Sequence, residues 1–255
     1  MAADKTSTDD STDEQTTTAE DYDIPVADDN HVDTSHLVKN IESHVIADDE
    51  DDDSHREYNP SVFHPSQVGY CKRRLMAKKL GLDDMSGLAG TFKIGNIIHD
   101  TIQSELPNTN RLTFETEVSH EERGIRIEGR YDIYDSEYDI VYDIKTRSSW
   151  YNFNPPVDRH LDQLHCYMKA LDAEYGKIIY VSKKDFELKP FPQDRPLRFD
   201  ESRWDDILDK CLTVRNYLMR NGFPITEGQL DEFADPCESY FCSDEDLDFS
   251  DIRPE

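Results

Sequence analysis

The sequence predicts a domain of the α/β class, in which strands and helices share one core. Between residues 123 and 134 apolar and polar side chains alternate, which is typical of a strand with one buried face. Segments before and after this strand carry apolar residues three or four positions apart, the spacing of an amphipathic helix. The resulting order is α, α, β, β, β, α, β, β, α, and this mixture indicates an α/β fold.

Each element follows from its own pattern. A basic helix is predicted over Ser66–Leu80, with Ser66 as its cap. The next helix, over Thr91–Leu106, carries isoleucines four residues apart. A turn at residues 135–137 joins two of the strands. The remaining predictions are strands over Arg111–Ser119, Arg123–Tyr134, Tyr138–Thr146, Lys177–Ser182 and Glu187–Pro192, and helices over Asp158–Leu171 and Glu201–Arg220.

The charge of the chain is concentrated in its two ends. Acidic residues outnumber basic ones by 56 to 28, a net charge of −28 that at first argues against a nucleic-acid partner. Residues 1–55 hold 18 acidic residues and two lysines, and residues 227–255 hold 11 acidic residues and one arginine. The middle of the chain is therefore close to neutral, and its charge does not exclude DNA.

Composition divides the chain into three parts. Residues 1–55 are predicted to be disordered and acidic, with a short amphipathic helix over residues 35–46. Residues 56–226 hold the predicted folded domain. Residues 227–255 form an acidic tail that contains a cysteine pair. The acidic excess is similar to that of haloarchaeal proteins, and the alternative is a mesophilic protein with disordered acidic tails.

Several classes of protein are disfavoured. No apolar run approaches the roughly 18–20 residues of a membrane span. The N-terminus lacks the basic and apolar regions of a signal peptide. The five cysteines are an odd number, which disfavours a disulfide framework in a chain of this length. A reducing cytoplasm is the expected location.

Two carboxylates and a lysine are the candidates for chemistry. Asp143 and Lys145 are two residues apart, so they project from the same face of one strand. If the preceding strand pairs antiparallel, Asp132 lies near Asp143. Carboxylates suit Mg²⁺ or Mn²⁺, which can activate water and stabilise a reacting phosphodiester, while the lysine steadies the developing charge. The competing interpretation is an exposed cross-strand ion pair.

Three further features accompany this group. His99 borders the apolar stripe of the second helix, where a packed core histidine is the alternative. Gln163 and Tyr167 lie four residues apart and share one face of a later helix. Arg73, Arg74 and Lys78 form a basic cluster on the first helix, which suggests DNA binding or merely a solvated basic face. Aromatic candidates for base stacking, or for ordinary loop packing, are Tyr70, Trp150, Tyr151 and Phe153.

In this order, these residues resemble the RecB-like branch of the PD-(D/E)xK nucleases, and most nearly the CRISPR-associated exonuclease family. The resemblance covers roughly residues 66–167 and implies a restriction-endonuclease-like core with a central mixed sheet flanked by helices. It implies Mn²⁺ or Mg²⁺ as cofactor, with Mn²⁺ favoured by an imidazole ligand. The implied metal ligands are His99, Asp132, Asp143 and the Ile144 carbonyl, with Lys145 as the catalytic lysine and Gln163 and Tyr167 positioning it and the DNA.

The same resemblance implies a [4Fe-4S] cluster held by one cysteine before the nuclease core and three after it. Cys71 fits the first place, and Cys237 and Cys242 fit two of the later three. Ala234 stands about where the missing cysteine is expected. Zinc held by fewer cysteines and a carboxylate, or no metal here at all, are the alternatives.

The expected function is that of a metal-dependent DNA exonuclease, acting on single strands or DNA ends. The expected partners are DNA and proteins of CRISPR adaptation or DNA repair, with no membrane. The alternative is a catalytically inactive nucleic-acid-binding or adaptor subunit that keeps the nuclease fold.

Overall fold

A computed structural model describes residues 58–82, 89–106, 111–221, 226–235 and 237. The predictions for residues 1–55, including the helix over residues 35–46, and for most of the acidic C-terminal tail therefore lie outside the described residues. Among the helices that are described, none has the length and apolar character needed to cross a membrane.

The described residues form seven strands and six helices. The strands are β1 (Val62–Phe63), β2 (Leu112–Glu122), β3 (Ile125–Asp135), β4 (Ile140–Arg147), β5 (Tyr175–Ser182), β6 (Leu188–Phe191) and β7 (Leu197–Arg198). The helices are α1 (Pro65–Val68), α2 (Lys72–Lys79), α3 (Ala89–Glu105), α4 (Asp158–Leu171), α5 (Glu201–Asn221) and α6 (Glu227–Phe233).

All seven strands join one mixed sheet, with the path β1-β3-β4-β5-β6 and with β2 and β7 added on β3 and β5. β1 is parallel to β3 and β4 is parallel to β5, whereas the other pairs are antiparallel. The predicted α/β fold with a central mixed sheet flanked by helices is confirmed.

One edge of β3 is divided between two neighbours. β1 pairs with it at residues 126–127, and β4 pairs with it only at residues 133–135. Between them, the ring of His64 hydrogen-bonds to the carbonyl of Glu128 at 2.9 Å. A Cβ at Gly129 would lie 2.7 Å from Cδ of Pro65, so only glycine lets α1 approach β3 this closely. This gap in the sheet is where the candidate site lies.

Helices cover both faces of the sheet. Ile98 of α3 packs in one cluster with Ile144 of β4. Leu164 of α4 packs in another cluster with Val141 of β4. Residues 141 and 144 have opposite parity on this strand, so α3 and α4 lie on opposite faces. A third cluster, around the buried Trp204 of α5, joins α2 and α5 to the start of β3.

The basic helix predicted over Ser66–Leu80 is divided in two. Pro65, not Ser66, begins α1, and the cap residue His64 makes no side-chain cap hydrogen bond. The chain then turns at Gly69, where a Cβ would lie 2.4 Å from the Arg159 carbonyl oxygen, so only glycine lets α4 cross this closely. Cys71 is the N-cap of α2, and its Sγ accepts a hydrogen bond from the Arg74 N–H at 3.4 Å.

Other differences are smaller. The isoleucine stripe of α3 is only partly a core stripe, because Ile98 is buried whereas Ile94 is 48 % exposed. The patterns did not predict β1 and β7, which have two residues each, or α6, which lies within the predicted acidic tail. A capping box between Thr226 and Gln229 begins α6.

Candidate active site at the gap between β3 and β4

Asp132 lies where β3 and β4 separate. Ladder pairing ends at Ile133 and Tyr142. Beyond that point the backbone N–H of Ile144 donates to Oδ2 of Asp132, at 2.5 Å. The carboxylate thus takes the place of a strand partner, and its Oδ1 atom faces His99. Burial raises the pKa of Asp132 above its ordinary value, although Lys145 and His99 act in the opposite direction.

Asp143 is fully buried and paired with Lys145. Lys145 Nζ donates to Asp143 Oδ1 at 2.9 Å, so the predicted common face of the two side chains is observed. Asp143 Oδ2 is buried and has no hydrogen-bond partner among the described residues. Burial raises the pKa of Asp143 to about 6, against the opposing effect of Lys145, and nearby Asp132 raises it further. The competing interpretation, an exposed ion pair, does not fit this burial.

His99 reaches the same place from α3, on the other side of Asp132. Its Nδ1 atom lies 3.7 Å from Asp132 Oδ1 and 3.9 Å from Glu115 Oε1. Both distances are too long for a direct hydrogen bond and short enough for strong Coulomb attraction. Burial lowers the pKa of His99, but Glu115 and Asp132 together hold it above its ordinary value.

Glu115 is the residue of this site that the sequence patterns missed. It lies on β2 with a φ of 43°, in the left-handed region that a non-glycine residue rarely adopts within a strand. Oε1 accepts from Gln103 Nε2 at 2.8 Å, and Oε2 pairs with Arg130 Nε at 2.8 Å. Only the register of β2 against β3 could have indicated it, because that register sets residue 115 across from Asp132.

The donor set fits a divalent cation. Among the described residues, a set of ligand atoms from His99, Glu115 and Asp132 lies within 4.8 Å of one another. Asp143 is not part of this set, but its buried Oδ2 is a further carboxylate oxygen that no described residue satisfies. Carboxylate oxygens with one imidazole suit Mn²⁺ or Mg²⁺, and a cation would offset the burial that raises the pKa of both aspartates. The part predicted for the Ile144 carbonyl stays a prediction.

Gln163 and Tyr167 face this group from α4. Gln163 Nε2 donates to the Tyr167 hydroxyl at 3.2 Å. Burial, followed by the charge of Asp143, raises the pKa of Tyr167 well above its ordinary value. The phenol therefore stays protonated and remains a hydrogen-bond donor at all working pH values. Their predicted common face is observed, and it is directed towards Asp143.

The basic cluster on α2 is not a solvated surface. Arg73 is 1 % exposed and pairs with Asp231 of α6 at 2.8 Å, and Arg74 is 7 % exposed. Lys78 is half-buried, with its Nζ 5.0 Å from the centre of the Tyr70 ring. Arg73 joins α2 to α6 through its ion pair with Asp231. The part predicted for Arg73, Arg74 and Lys78 in DNA binding stays a prediction.

The cysteines give no cluster within the described residues. Cys71 caps α2 through its sulfur, Cys237 is exposed beyond α6, and Cys242 lies outside the described residues. Cys166 and Cys211 are buried between α4 and α5, where burial raises the pKa of both thiols. The iron–sulfur cluster stays a prediction.

Comparisons with known proteins bear on the fold. No protein-family description and no curated protein matches the chain. The crystal structure of SSO0001 matches at 19 % identity with a TM-score of 0.51, over 70 % of this chain and 86 % of that one.

Two further solved structures give lower scores. An alkaline exonuclease (LHK-Exo) from Laribacter hongkongensis matches with a TM-score of 0.37 at 9 % identity, over 70 % of this chain and 96 % of that one. A phage related exonuclease from Haemophilus somnus 129PT matches with a TM-score of 0.34 at 14 % identity, over 70 % and 81 %. The likeness to SSO0001 shows a shared fold, and the two lower scores carry no argument.

Proposed function

We propose that this protein is a metal-dependent deoxyribonuclease that hydrolyses phosphodiester bonds at the gap between β3 and β4. The observation that carries the proposal is Asp143, a fully buried carboxylate with one oxygen on Lys145 and the other without a partner among the described residues. A buried carboxylate is costly unless it is paired or binds a metal, so an oxygen left without a partner indicates a functional site. Its neighbours Asp132 and His99 supply the remaining donors of a cation site.

The residues that would hold Mn²⁺ or Mg²⁺ are His99, Asp132, Asp143 and the Ile144 carbonyl. When bound, such a cation activates a water molecule and neutralises charge on the phosphoryl oxygens. Glu115, 3.9 Å from His99, would orient the imidazole or add a further ligand.

The side chains have separable parts in hydrolysis. The Ile144 N–H fixes the carboxylate of Asp132, so that its second oxygen stays directed towards His99. The Lys145 ammonium, held by Asp143, lies where it can stabilise the negative charge that builds on the phosphate during attack. The Tyr167 hydroxyl accepts a hydrogen bond from Gln163 Nε2, which fixes its orientation and leaves its own proton to donate to the substrate. Water gives up a proton to the solvent as its oxygen bonds to phosphorus, the bond to the leaving sugar oxygen breaks, and that oxygen takes up a proton.

The direct test is cleavage of labelled single-stranded DNA with Mn²⁺, comparing wild type with Asp143→Asn and Lys145→Ala. We expect each change to lower the rate by at least 10²-fold, the usual effect of removing a group that stabilises transition-state charge. Glu187→Gln is the matched control, because Glu187 and Lys189 form a similar pair that is exposed to solvent. Equal cleavage by all four proteins would remove the proposed site.

The exonuclease assignment needs its own substrate. A circular single strand has no end, so an exonuclease leaves it intact while degrading a linear strand of the same sequence. Cleavage of the circle would show an endonuclease. Retained DNA binding without cleavage of either form would favour the non-catalytic adaptor. The proposed setting, CRISPR adaptation or DNA repair, is distinguished by the genes that neighbour this one.

A further inference from the structure

Beyond Lys145, a group of cations continues along β4 and onto the start of α4. Arg147 follows Lys145 by two residues, so both project from the same face of the strand. Arg159 and His160 lie in the first turn of α4. Arg159 Nε donates to His160 Nε2 at 3.4 Å, and Arg159 Nη1 donates to the Tyr70 hydroxyl at 3.3 Å. We call Arg147, Arg159, His160 and Tyr70 the arginine surface.

His160 reports the charge of this surface. The ring is 8 % exposed, and its Nδ1 atom is 3.3 Å from the Tyr180 hydroxyl. Burial lowers the pKa of His160 to about 2, and the positive charges of Lys145, Arg159 and Arg147 add to the effect. His160 is therefore neutral, and the cationic side chains of Lys145, Arg159 and Arg147 lie close enough to act on one buried ring.

Arg147 lacks an opposite charge. It forms no ion pair with a described residue, and its buried Nε has no hydrogen-bond partner among them. Instead, its guanidinium stacks 4.4 Å from the centre of the Phe153 ring. The nearest carboxylates of α4, Asp158 and Asp162, are both bound to Arg203 on α5. In a chain of net charge −28, an unpaired arginine beside the proposed catalytic lysine indicates a site for an anion.

Aromatic rings accompany both guanidinium groups. The centre of the Tyr70 ring is 5.4 Å from Arg159, and Phe153 beneath Arg147 also contacts Trp150, with ring centres 5.5 Å apart. Cations that follow a backbone beside rings that stack on bases are typical of surfaces that bind single-stranded nucleic acid. Duplex DNA keeps its bases stacked on each other and gains nothing from such rings.

We propose that the arginine surface binds the phosphates of a single DNA strand on the Lys145 side of the scissile bond, with the neighbouring aromatic rings against its bases. This inference rests on the proposed function, and it adds the path that the DNA strand takes across the protein. It adds cations at the ends of β4 and α4 to the basic cluster predicted on α2.

The test is binding of a fluorescent single-stranded oligonucleotide in EDTA, where no cleavage can occur, across a series of potassium chloride concentrations. We expect Arg147→Gln/Arg159→Gln to bind at least tenfold more weakly. The slope of log affinity against log salt should fall by about 1.4, which is two phosphates at about 0.7 each for a single strand. Arg147→Lys/Arg159→Lys keeps both charges and should retain the slope. Arg126→Gln, which removes an exposed arginine paired with Glu128, is the matched control and should behave as wild type.

Three other results would each contradict the arginine surface, the proposed function or both. Unchanged affinity and slope in the glutamine variant, with wild-type binding intact, would overturn the arginine surface alone. Wild-type binding that depends on both arginines, without cleavage under any condition, would overturn the proposed function and leave the surface in place. Absence of DNA binding by wild type would overturn both. Thermal unfolding of each variant, and the single change Arg147→Gln, separate a binding defect from a folding defect.

Discussion

The Oδ2 atom of Asp132 accepts a hydrogen bond from the backbone N–H of Ile144 at 2.5 Å, across the point where β3 and β4 part. An ordinary antiparallel pair would satisfy this N–H with a carbonyl oxygen of the adjacent strand. Here a side chain does so, and the carboxylate is thereby held in one orientation. This single contact satisfies the Ile144 N–H at the gap and positions a proposed metal ligand.

The two roles of Asp132 can be separated by substitution. Asp132→Asn keeps an oxygen that can accept the Ile144 N–H, whereas Asp132→Ala leaves that donor buried without a partner. We expect the alanine variant to be less stable than the asparagine variant by about 1–3 kcal/mol in urea unfolding with EDTA. Both should lose Mn²⁺ binding in calorimetry. Equal stability of the two variants would show that water replaces the carboxylate.

Asp143 should make the metal-free protein less stable as pH rises. Its pKa is about 6 in the folded protein, against an ordinary value of 3.8, so the folded state binds this proton more tightly. The unfolding free energy therefore falls as pH rises from about 4 to about 6. In EDTA at pH 8, Asp143→Asn should be more stable than wild type by on the order of 1–3 kcal/mol.

The difference in unfolding free energy between wild type and Asp143→Asn should become smaller as the pH falls towards 4. Two features limit the opposing loss at Lys145: the Asp143→Asn change keeps an oxygen that can accept the hydrogen bond from Lys145 Nζ, and the charge of Asp132 also acts on this ammonium. Denaturant unfolding at several pH values measures the difference, in which titrations common to both proteins cancel. A wild type that is the more stable protein at pH 8 in EDTA would contradict the assigned direction of the pKa.

Glu115→Gln should weaken metal binding without unfolding the protein. The change removes a negative charge 3.9 Å from the His99 ring but keeps an oxygen for Gln103. We expect Mn²⁺ affinity to fall on the order of tenfold, as for other groups that orient a metal-binding histidine. Glu117→Gln, at an exposed position two residues along β2, is the control. Titration calorimetry should show no change there, and equal effects at both positions would indicate only a general loss of negative charge.

Arg73→Ala should behave as a core substitution. Arg73 is buried, pairs with Asp231 and donates to the Ala234 carbonyl at 3.3 Å. We expect the unfolding free energy to fall by roughly 2–4 kcal/mol, because removal of one buried ionic partner leaves polar groups unsatisfied. Lys72→Ala, on the exposed side of the same helix, should change it by less than about 0.5 kcal/mol. Urea unfolding distinguishes them, and equal effects would argue against a structural role for Arg73.

Local patterns predicted most of the fold. The bounds of α4 were predicted to the residue, because its stripe of Leu161, Leu164 and Met168 is the side that the structure buries. The three strands β2, β3 and β4 were predicted within a few residues by alternation. The break after Val68 was not predicted, because it depends on α4 crossing at Gly69, a contact between segments far apart in the chain.

Residue type and spacing along single elements predicted part of the site. The pairing of Lys145 with Asp143, and of Gln163 with Tyr167, follows from spacing on one element. Glu115 required the register between β2 and β3. The burial of Arg73 was not predicted, because a sequence shows the charge of this residue and not the approach of α6.

The short pairing of β3 with β4 makes chain length in the connecting turn as important to the site as any side chain. Three residue pairs set the alignment of the two strands, and the turn over residues 136–139 is tied down by the Tyr134 hydroxyl on Asp139. Removal of one residue from this turn, with β4 shifting against β3 by one position, would place Asp143 or Lys145 where Ile144 now meets Asp132. Every ligand would still be encoded, and the centre would nevertheless be lost.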